Sequence, residues 1–334
     1  GSCWYYLRYL DPNNSEQFIS PEVEQYWMGA NHNPGGIDLY VGGTEHAVLH
    51  LLYARFWHKV LFDLGYLTTN EPFQKLVNQG LILGEDGQKM SKSRGNVVNP
   101  DDIVQEYGAD ALRLYEMFMG PLKDVKPWAT KGVEGISRFL ARVWRVAFME
   151  NQEGIWTPSG KIVASLPNDK RLAVSKEVHK TIRKVTEDIE AMSFNTAISK
   201  MMECVNAMTS ADAIVLEDYV NLLILLNPFA PHITEEIYSR LCDSFPSLPR
   251  TQLCEHAWPA CDEAMLREDT VTLVVQVNGK LRDKLEVPAG ISREDAEKMA
   301  LESPKIKTYT DGNTIRKVIV VPGRLINIVV TPNA

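Results

Sequence analysis

Two lysines three apart, Lys89 and Lys92, stand in the run Lys89-Met90-Ser91-Lys92-Ser93, and Arg94-Gly95-Asn96 follows. A lysine ammonium is a compact cation on a long stem, suited to meeting phosphate charge. Serine hydroxyls, glycine and backbone N–H groups let such a loop close around a polyphosphate. The plainer reading of two lysines at this spacing is a solvated basic turn. A second set of candidates runs from Gly42-Gly43-Thr44-Glu45-His46 to His50. A glycine pair between a short strand and a helix presents the helix N-terminus to a phosphate or carboxylate. His46 and His50 are four apart, so a helix would put them on one face. Zinc of the metalloprotease kind needs Glu directly after the first His, and Ala47 stands there, which leaves two core histidines as the plainer alternative. Cys254, His256 and Cys261 fit no zinc spacing either, so no protein-bound metal is expected.

The elements that would position these groups follow from spacing. Residues 2–10 are dense in aromatics, with Trp4, Tyr5, Tyr6 and Tyr9. A polar loop ends at Asn33-Pro34-Gly35-Gly36, residues 37–41 read as a buried strand, and a helical pattern runs from Glu45 to about Leu64. Residues 76–83 form another apolar segment, and Gly84-Glu85-Asp86-Gly87-Gln88 turns into the lysine loop. Asn99-Pro100-Asp101-Asp102 is a helix start, with proline in the first turn and acids beside it.

From Gly120-Pro121 the composition changes. Ile136, Phe139, Leu140, Val143 and Trp144 recur at helical spacing, and Val178, Ile182, Val185, Ile189 and Met192 make an amphipathic stripe after a loop-rich link at 151–169. Further helical patterns at 195–208 and 214–226, and a helix opening at Ala230-Pro231-His232, point to a helical bundle in which His232 is structural. From Thr270 the period becomes 2. Strands at 271–277 and 281–287 are joined by Asn278-Gly279, Ser292 caps a helix to about Glu302, and strands at 314–321 and 324–330 meet across Pro322-Gly323, a ββαββ order.

The chain has 334 residues, 45% apolar and 23% charged, with net charge −8, as in an ordinary globular protein of two or three domains. The longest apolar run, 220–226, is interrupted by Asn221 and ends at Asn227-Pro228, so no membrane partner is expected. Five cysteines without a C-x-x-C pair read as reduced thiols, hence a cytoplasmic location. Residues 271–334 hold ten Lys/Arg against seven Asp/Glu, a basic end in an acidic chain. Lys280, Arg282, Lys284, Arg316, Lys317 and Arg324 lie near the hairpins, either as solvated strand faces or as a surface for RNA phosphates.

With the whole pentapeptide present, residues 89–93 resemble the signature loop of class I aminoacyl-tRNA synthetases. Residues 42–53, Gly-Gly-Thr-Glu-His-Ala-Val-Leu-His-Leu-Leu-Tyr, are similar to the active-site helix of leucyl-tRNA synthetases, where the isoleucine and valine enzymes carry an Asp-Gln type pair instead of Glu45-His46. Residues 108–115 are a further class I-like run, Gly-Ala-Asp-Ala-Leu-Arg-Leu-Tyr. The resemblance is to the C-terminal portion of the class Ia enzyme. It implies a multidomain α/β plus all-α fold: residues 1–120 as the C-terminal half of a Rossmann-type catalytic domain, 121–265 as a helical anticodon-binding-type domain, and 268–334 as a small α+β tRNA-contacting domain.

It also implies ATP with Mg2+, leucine and tRNA(Leu) as substrates and partners. Lys89 and Lys92 become catalytic groups on the ATP phosphates. Gly43, Glu45, Met90, Ser91 and Ser93 complete the ATP site, with Glu45 on the ribose, while Ser2, Tyr5, His46 and His50 border the leucine pocket. Three departures bear on activity. No His-x-Gly-His occurs in the chain, no editing domain has a counterpart, and the amino-terminal half of the nucleotide-binding fold is missing from it. The expectation is an enzyme part, inactive alone and completed by an N-terminal catalytic segment or partner chain. The alternative is a tRNA- or RNA-binding module whose catalytic loop is vestigial. A third reading, another branched-chain or methionine enzyme, is opposed by Glu45-His46.

Overall fold

A computed structural model describes residues 1–29, 35–267, 270–321 and 323–332, in two compact units, Gly1–Cys261 and Asp262–Ala334. Asn33 and Pro34 of the expected loop end, Pro322 of the second hairpin and the expected boundary at 268 lie outside the described residues.

In the first unit the threading depends on Gly80. A Cβ there would collide with the backbone carbonyl of Asp124, and the Gly80 N–H donates to the Leu122 carbonyl at 2.9 Å. Only glycine lets two backbones approach so closely. The apolar segment expected over 76–83 is therefore two strands, Leu76–Gln79 and Ile82–Leu83. The first pairs in parallel with Tyr40–Gly43, Gly43 opposite Gln79; the second pairs in parallel with Lys126–Pro127. Tyr6, Leu7, Met28, Ala54 and Leu67 form a small core, with Ile37 and Phe73 packed against it.

The helix expected from Glu45 starts later. Thr44–His46 is a single 3-10 turn, and the α-helix is His50–Asp63. Leu49 ahead of it lies outside helical geometry (φ −118°, ψ −82°) and supplies no side-chain cap, so the hydrogen-bonded run cannot extend back through it. The glycine pair consequently faces a short turn and not the end of a long helix.

The bundle forms because its helices each carry one apolar stripe. Thr130–Ala147 buries Val133, Ile136, Phe139, Leu140, Val143 and Val146. Ala109–Phe118, Asn168–Glu190, Phe194–Ser210 and Pro231–Ser244 contribute to the same core, and Leu216–Leu226, apolar on nearly every side, runs through it. Met192, the last member of the stripe expected on Asn168–Glu190, sits past the helix end at φ +57°. Asp110 is buried and accepts the N–H groups of His232 (3.3 Å) and Ile233 (2.7 Å), satisfying the first turn of Pro231–Ser244. The backbone of His232 thus has a structural role.

The second unit is a four-stranded sheet in the order Lys280–Pro288, Thr270–Val277, Leu325–Pro332, Asn313–Val321. The two central strands are parallel and each outer strand is antiparallel to its neighbour. Asn278 and Gly279 both take positive φ, 51° and 77°, as a type I′ turn requires. Where one helix is expected, two occur. Ser292 caps Arg293–Glu302 by accepting the Asp295 N–H at 3.0 Å, and Pro304–Thr310 follows. Ser303 precedes Pro304 and is held extended (ψ 126°), because the proline ring disfavours helical geometry in the residue before it.

Candidate active site

The lysine loop is built by its neighbours before its cations are considered. Lys89 bridges back to Leu83, and the Gly84 N–H donates to the Gln88 carbonyl at 2.8 Å, so residues 84–88 form a tight turn. Asn96 then closes the loop. Its Oδ1 accepts the Ser91 N–H at 2.9 Å; its Nδ2 donates to both Asp86 oxygens at 3.1 Å and to the Lys89 carbonyl at 3.3 Å. Asp86 also accepts the Gln88 N–H at 3.0 Å. The bond from Gln88, then the one from Asn96, holds the Asp86 carboxyl below its ordinary range. Lys92–Arg94 is one 3-10 turn ended by Gly95 at φ 66°, a backbone state that glycine adopts without strain.

The loop is also tied to the bundle. Glu85 accepts the Thr130 N–H at 2.9 Å and its hydroxyl at 2.8 Å, capping Thr130–Ala147, and these bonds lower the Glu85 pKa. The result is a fixed loop whose Lys89 and Lys92 are exposed and have no carboxylate partner among the described residues. The Ser91 and Ser93 hydroxyls are 3.2 Å apart on the same loop. Two unspent ammonium groups beside hydroxyl and N–H donors can take a polyphosphate.

The second cluster gathers around Tyr40. Its hydroxyl lies 2.9 Å from the Tyr5 hydroxyl and 2.9 Å from His50 Nε2, and its ring stacks on Phe73 at 4.1 Å. Burial, then the bond to Tyr5, pushes the Tyr40 pKa up, so it stays a neutral hydrogen-bonding phenol. Tyr5 stacks on His50 at 6.2 Å, His46 meets His50 edge-on at 6.3 Å, and Glu45 approaches His46 at 3.9 Å. The Glu45 carboxylate folds back over Gly43, where a Cβ would stand. Tyr5, His46, His50, Glu45 and Gly43 are therefore brought together, although His46 and His50 do not share one helix.

The two sets follow strands of different parallel pairs: Thr44-Glu45-His46 follows Tyr40–Gly43, paired with Leu76–Gln79, and the lysine loop follows Ile82–Leu83, paired with Lys126–Pro127. Ligands in α/β sheets collect at the carboxyl ends of parallel strands. Ser2 is exposed and makes no hydrogen bond to the tyrosine–histidine set among the described residues. A 320 Å³ apolar cavity nearby is lined by Gly1, Trp4, Phe18, Trp57 and Leu61 and not by Tyr5, His46 or His50. No group of three or more His, Cys, Asp or Glu suited to a metal occurs among the described residues.

In the second unit all six basic candidates are exposed, but they do not form one cluster. Lys280, Arg282 and Lys284 lie on one edge strand, Arg316 and Lys317 on the other edge, and Arg324 just before an inner strand. Arg282 stacks over Tyr309 at 4.3 Å, and Arg316 Nε donates to the Thr331 hydroxyl at 3.2 Å. Sequence reasoning missed Tyr40, Asp86 and Asn96 as site residues. The available signals were a tyrosine directly ahead of the glycine strand end, and an Asx pair flanking the lysine run.

Two family models match parts of the chain. Residues 51–126 match the family model of class I tRNA synthetases (I, L, M and V), and residues 172–298 match that of the anticodon-binding domain of tRNA ligase. Over 332 residues the chain is 52% identical to a leucine–tRNA ligase of Chlorobaculum tepidum, covering 99% of this chain and 38% of the relative. It is equally similar, 52% over 332 residues, to that of Prosthecochloris aestuarii. Among solved structures, the LeuRS of Agrobacterium radiobacter K84, in a ternary complex described as LeuRS-tRNA-LeuAMS, superposes with a TM-score of 0.72 at 31% identity, over 99% of this chain and 41% of that one. The chain spans about two-fifths of the length of the curated relatives it matches.

Proposed function

Because the chain belongs to the leucine–tRNA ligase family, we propose that it is part of such an enzyme. The reaction is ATP-dependent activation of leucine to leucyl-adenylate and transfer to tRNA(Leu), in the cytoplasm, with the remaining catalytic segment supplied by further chain or a partner. In this reading residues 1–120 carry the catalytic half-domain, 121–265 the helical tRNA domain and 268–334 a tRNA-contacting domain.

The observation that carries the proposal is the locked loop with two ammonium groups that have no carboxylate partner among the described residues. Leucine's carboxylate attacks the α-phosphorus of Mg2+-bound ATP and pyrophosphate leaves. Lys92, with Lys89, neutralises charge growing on the pyrophosphate side, while the Ser91 and Ser93 hydroxyls and the Ser93 N–H hold its oxygens; the Ser91 N–H is spent on Asn96. Such transfer gains mainly from positioning and from cations aimed at developing charge. Glu45 takes the adenosine ribose. Tyr5, His46 and His50 border the leucine side, and the Tyr40 hydroxyl keeps Tyr5 and His50 in place.

Leucine-dependent ATP–pyrophosphate exchange, run with and without the complementing segment, tests this. Lys92→Ala is expected to lower the complemented rate by ~10²–10³ with little change in leucine affinity. An undiminished rate refutes the role of Lys92. Binding of tRNA without exchange under any complementation would leave an RNA-binding module instead.

A further inference from the structure

On the bundle, Trp144 and Trp156 line an open groove of about 600 Å³ together with Tyr107, Arg145 and His232. The depression has a simple origin. Ser137 and Ala141 are small, lie one turn apart on Thr130–Ala147 and also line the groove, so the surface drops beside the larger Trp144 and Arg145 of the next turn. Trp144 is held on several sides. Trp156 meets it edge-on at 5.9 Å and 83°, Phe148 lies at 4.7 Å, and the Arg240 guanidinium sits 5.1 Å over its ring. Trp156 is half-buried and closes the other wall.

Charges of both signs lie by the groove: Glu106 accepts a hydrogen bond from Tyr107, and the arginines stand along Thr130–Ala147. Arg138, Arg142 and Arg145 recur four and three apart on the exposed side of the helix. Arg142 and Arg145 have no ion-pair partner among the described residues, and Arg138 reaches only Glu134, at 3.8 Å. The acid lining the groove, Asp110, is buried and committed to the N–H groups of His232 and Ile233. Rigid indole faces beside unpaired guanidinium groups suit a base with its phosphates: the ring stacks and the arginines take the backbone.

We infer that this groove takes one unpaired nucleotide of the bound RNA, its base against Trp156 and its phosphates on Arg145 and Arg142. The inference rests on the proposed function, which supplies tRNA as the partner, and adds where on the bundle an unstacked base is held.

The test uses the full chain and a tRNA(Leu) transcript, with binding read by fluorescence anisotropy at fixed salt. Trp156→Ala is expected to weaken binding about tenfold, within the range for one stacked base. Arg145→Glu, an exposed change that leaves the core intact, is expected to weaken it at least as much and to reduce the salt slope by about one phosphate contact. Circular dichroism of both variants confirms the fold. Wild-type binding unchanged in both variants overturns the inference while leaving tRNA binding standing; no binding by wild type overturns the proposed function and the inference together. A third arm titrates AMP and UMP against the tRNA complex. Displacement by free nucleotide at micromolar concentration marks a mononucleotide pocket and overturns the RNA assignment.

Discussion

Helices His50–Asp63 and Thr130–Ala147 both carry many apolar residues, and they use them in opposite ways. On the second, Phe139 and Val143 are fully buried. On and just before the first, Val48 is 74% exposed, Leu49 63% and Phe56 61%, with Leu52, Tyr53 and Trp57 exposed beside them. Apolar residues at helical spacing say that a helix has a face to hide; they do not say that the same chain hides it. The bundle encloses its own stripes. The part that holds Tyr40 and His50 has only a small core and leaves a broad apolar surface open, the usual mark of a contact surface.

The largest effect that could break this comparison is in packing. Phe139→Ala should cost about 3–5 kcal/mol, since it empties a fully enclosed site. Phe56→Ala should change stability by less than about 0.5 kcal/mol, because the ring is already in water. Urea denaturation of the two variants decides it. Similar losses would mean that the apolar face of His50–Asp63 is covered in solution.

A somewhat smaller effect separates the two regions by pH. His58 is fully buried, its Nε2 donating to the Thr69 carbonyl at 2.9 Å and its Nδ1 accepting from the Tyr6 hydroxyl at 2.9 Å. Burial pushes its pKa down to about 4, against about 6.5 in an unfolded chain. Above pH ~6.5 neither state binds the proton and stability is indifferent to it. Between ~6.5 and ~4 the unfolded chain takes up a proton that the folded one refuses, so stability falls as pH falls, by on the order of 3 kcal/mol in all. Amide exchange measured between pH 7 and 4.5 should therefore show residues near Tyr6 and His58 opening first. Core amides of Leu216–Leu226, far from any such histidine, should keep their protection once intrinsic exchange is corrected. Equal loss in both places would show that the first unit opens as one body.

What could be read from residues alone divides along the same line. The lysine loop stands out as a candidate because its residues are five adjacent ones, and the bundle was legible because each helix repeats one stripe. Tyr40 was not, because its role depends on Tyr5, 35 positions away. Gly80, inside the apolar segment at 76–83, has its role set by the Asp124 carbonyl against it, 44 positions away. Pro304 carried a usable signal, a proline two residues past the expected helix end, yet the second helix it starts was not expected. The six basic residues near the hairpins seemed to cluster because strand order, which sends them to opposite edges, is not written in any one strand.

The smallest effect concerns whether the loop is held by itself or by the bundle. Asn96 is the internal tie: without its side chain the Ser91 N–H, the Lys89 carbonyl and Asp86 all lose a partner. Glu85 is the external tie, through Thr130. If internal geometry positions the two ammonium groups, Asn96→Ala should cost roughly tenfold in the exchange rate of the complemented enzyme, felt in the ATP dependence and not in leucine affinity, while global stability stays nearly unchanged. Glu85→Gln keeps an acceptor for Thr130 and should leave the rate within about twofold. The reverse ranking, a larger loss for Glu85→Gln than for Asn96→Ala, would mean that the bundle sets the loop, and that the enclosed region reaches directly into the chemistry of the open one.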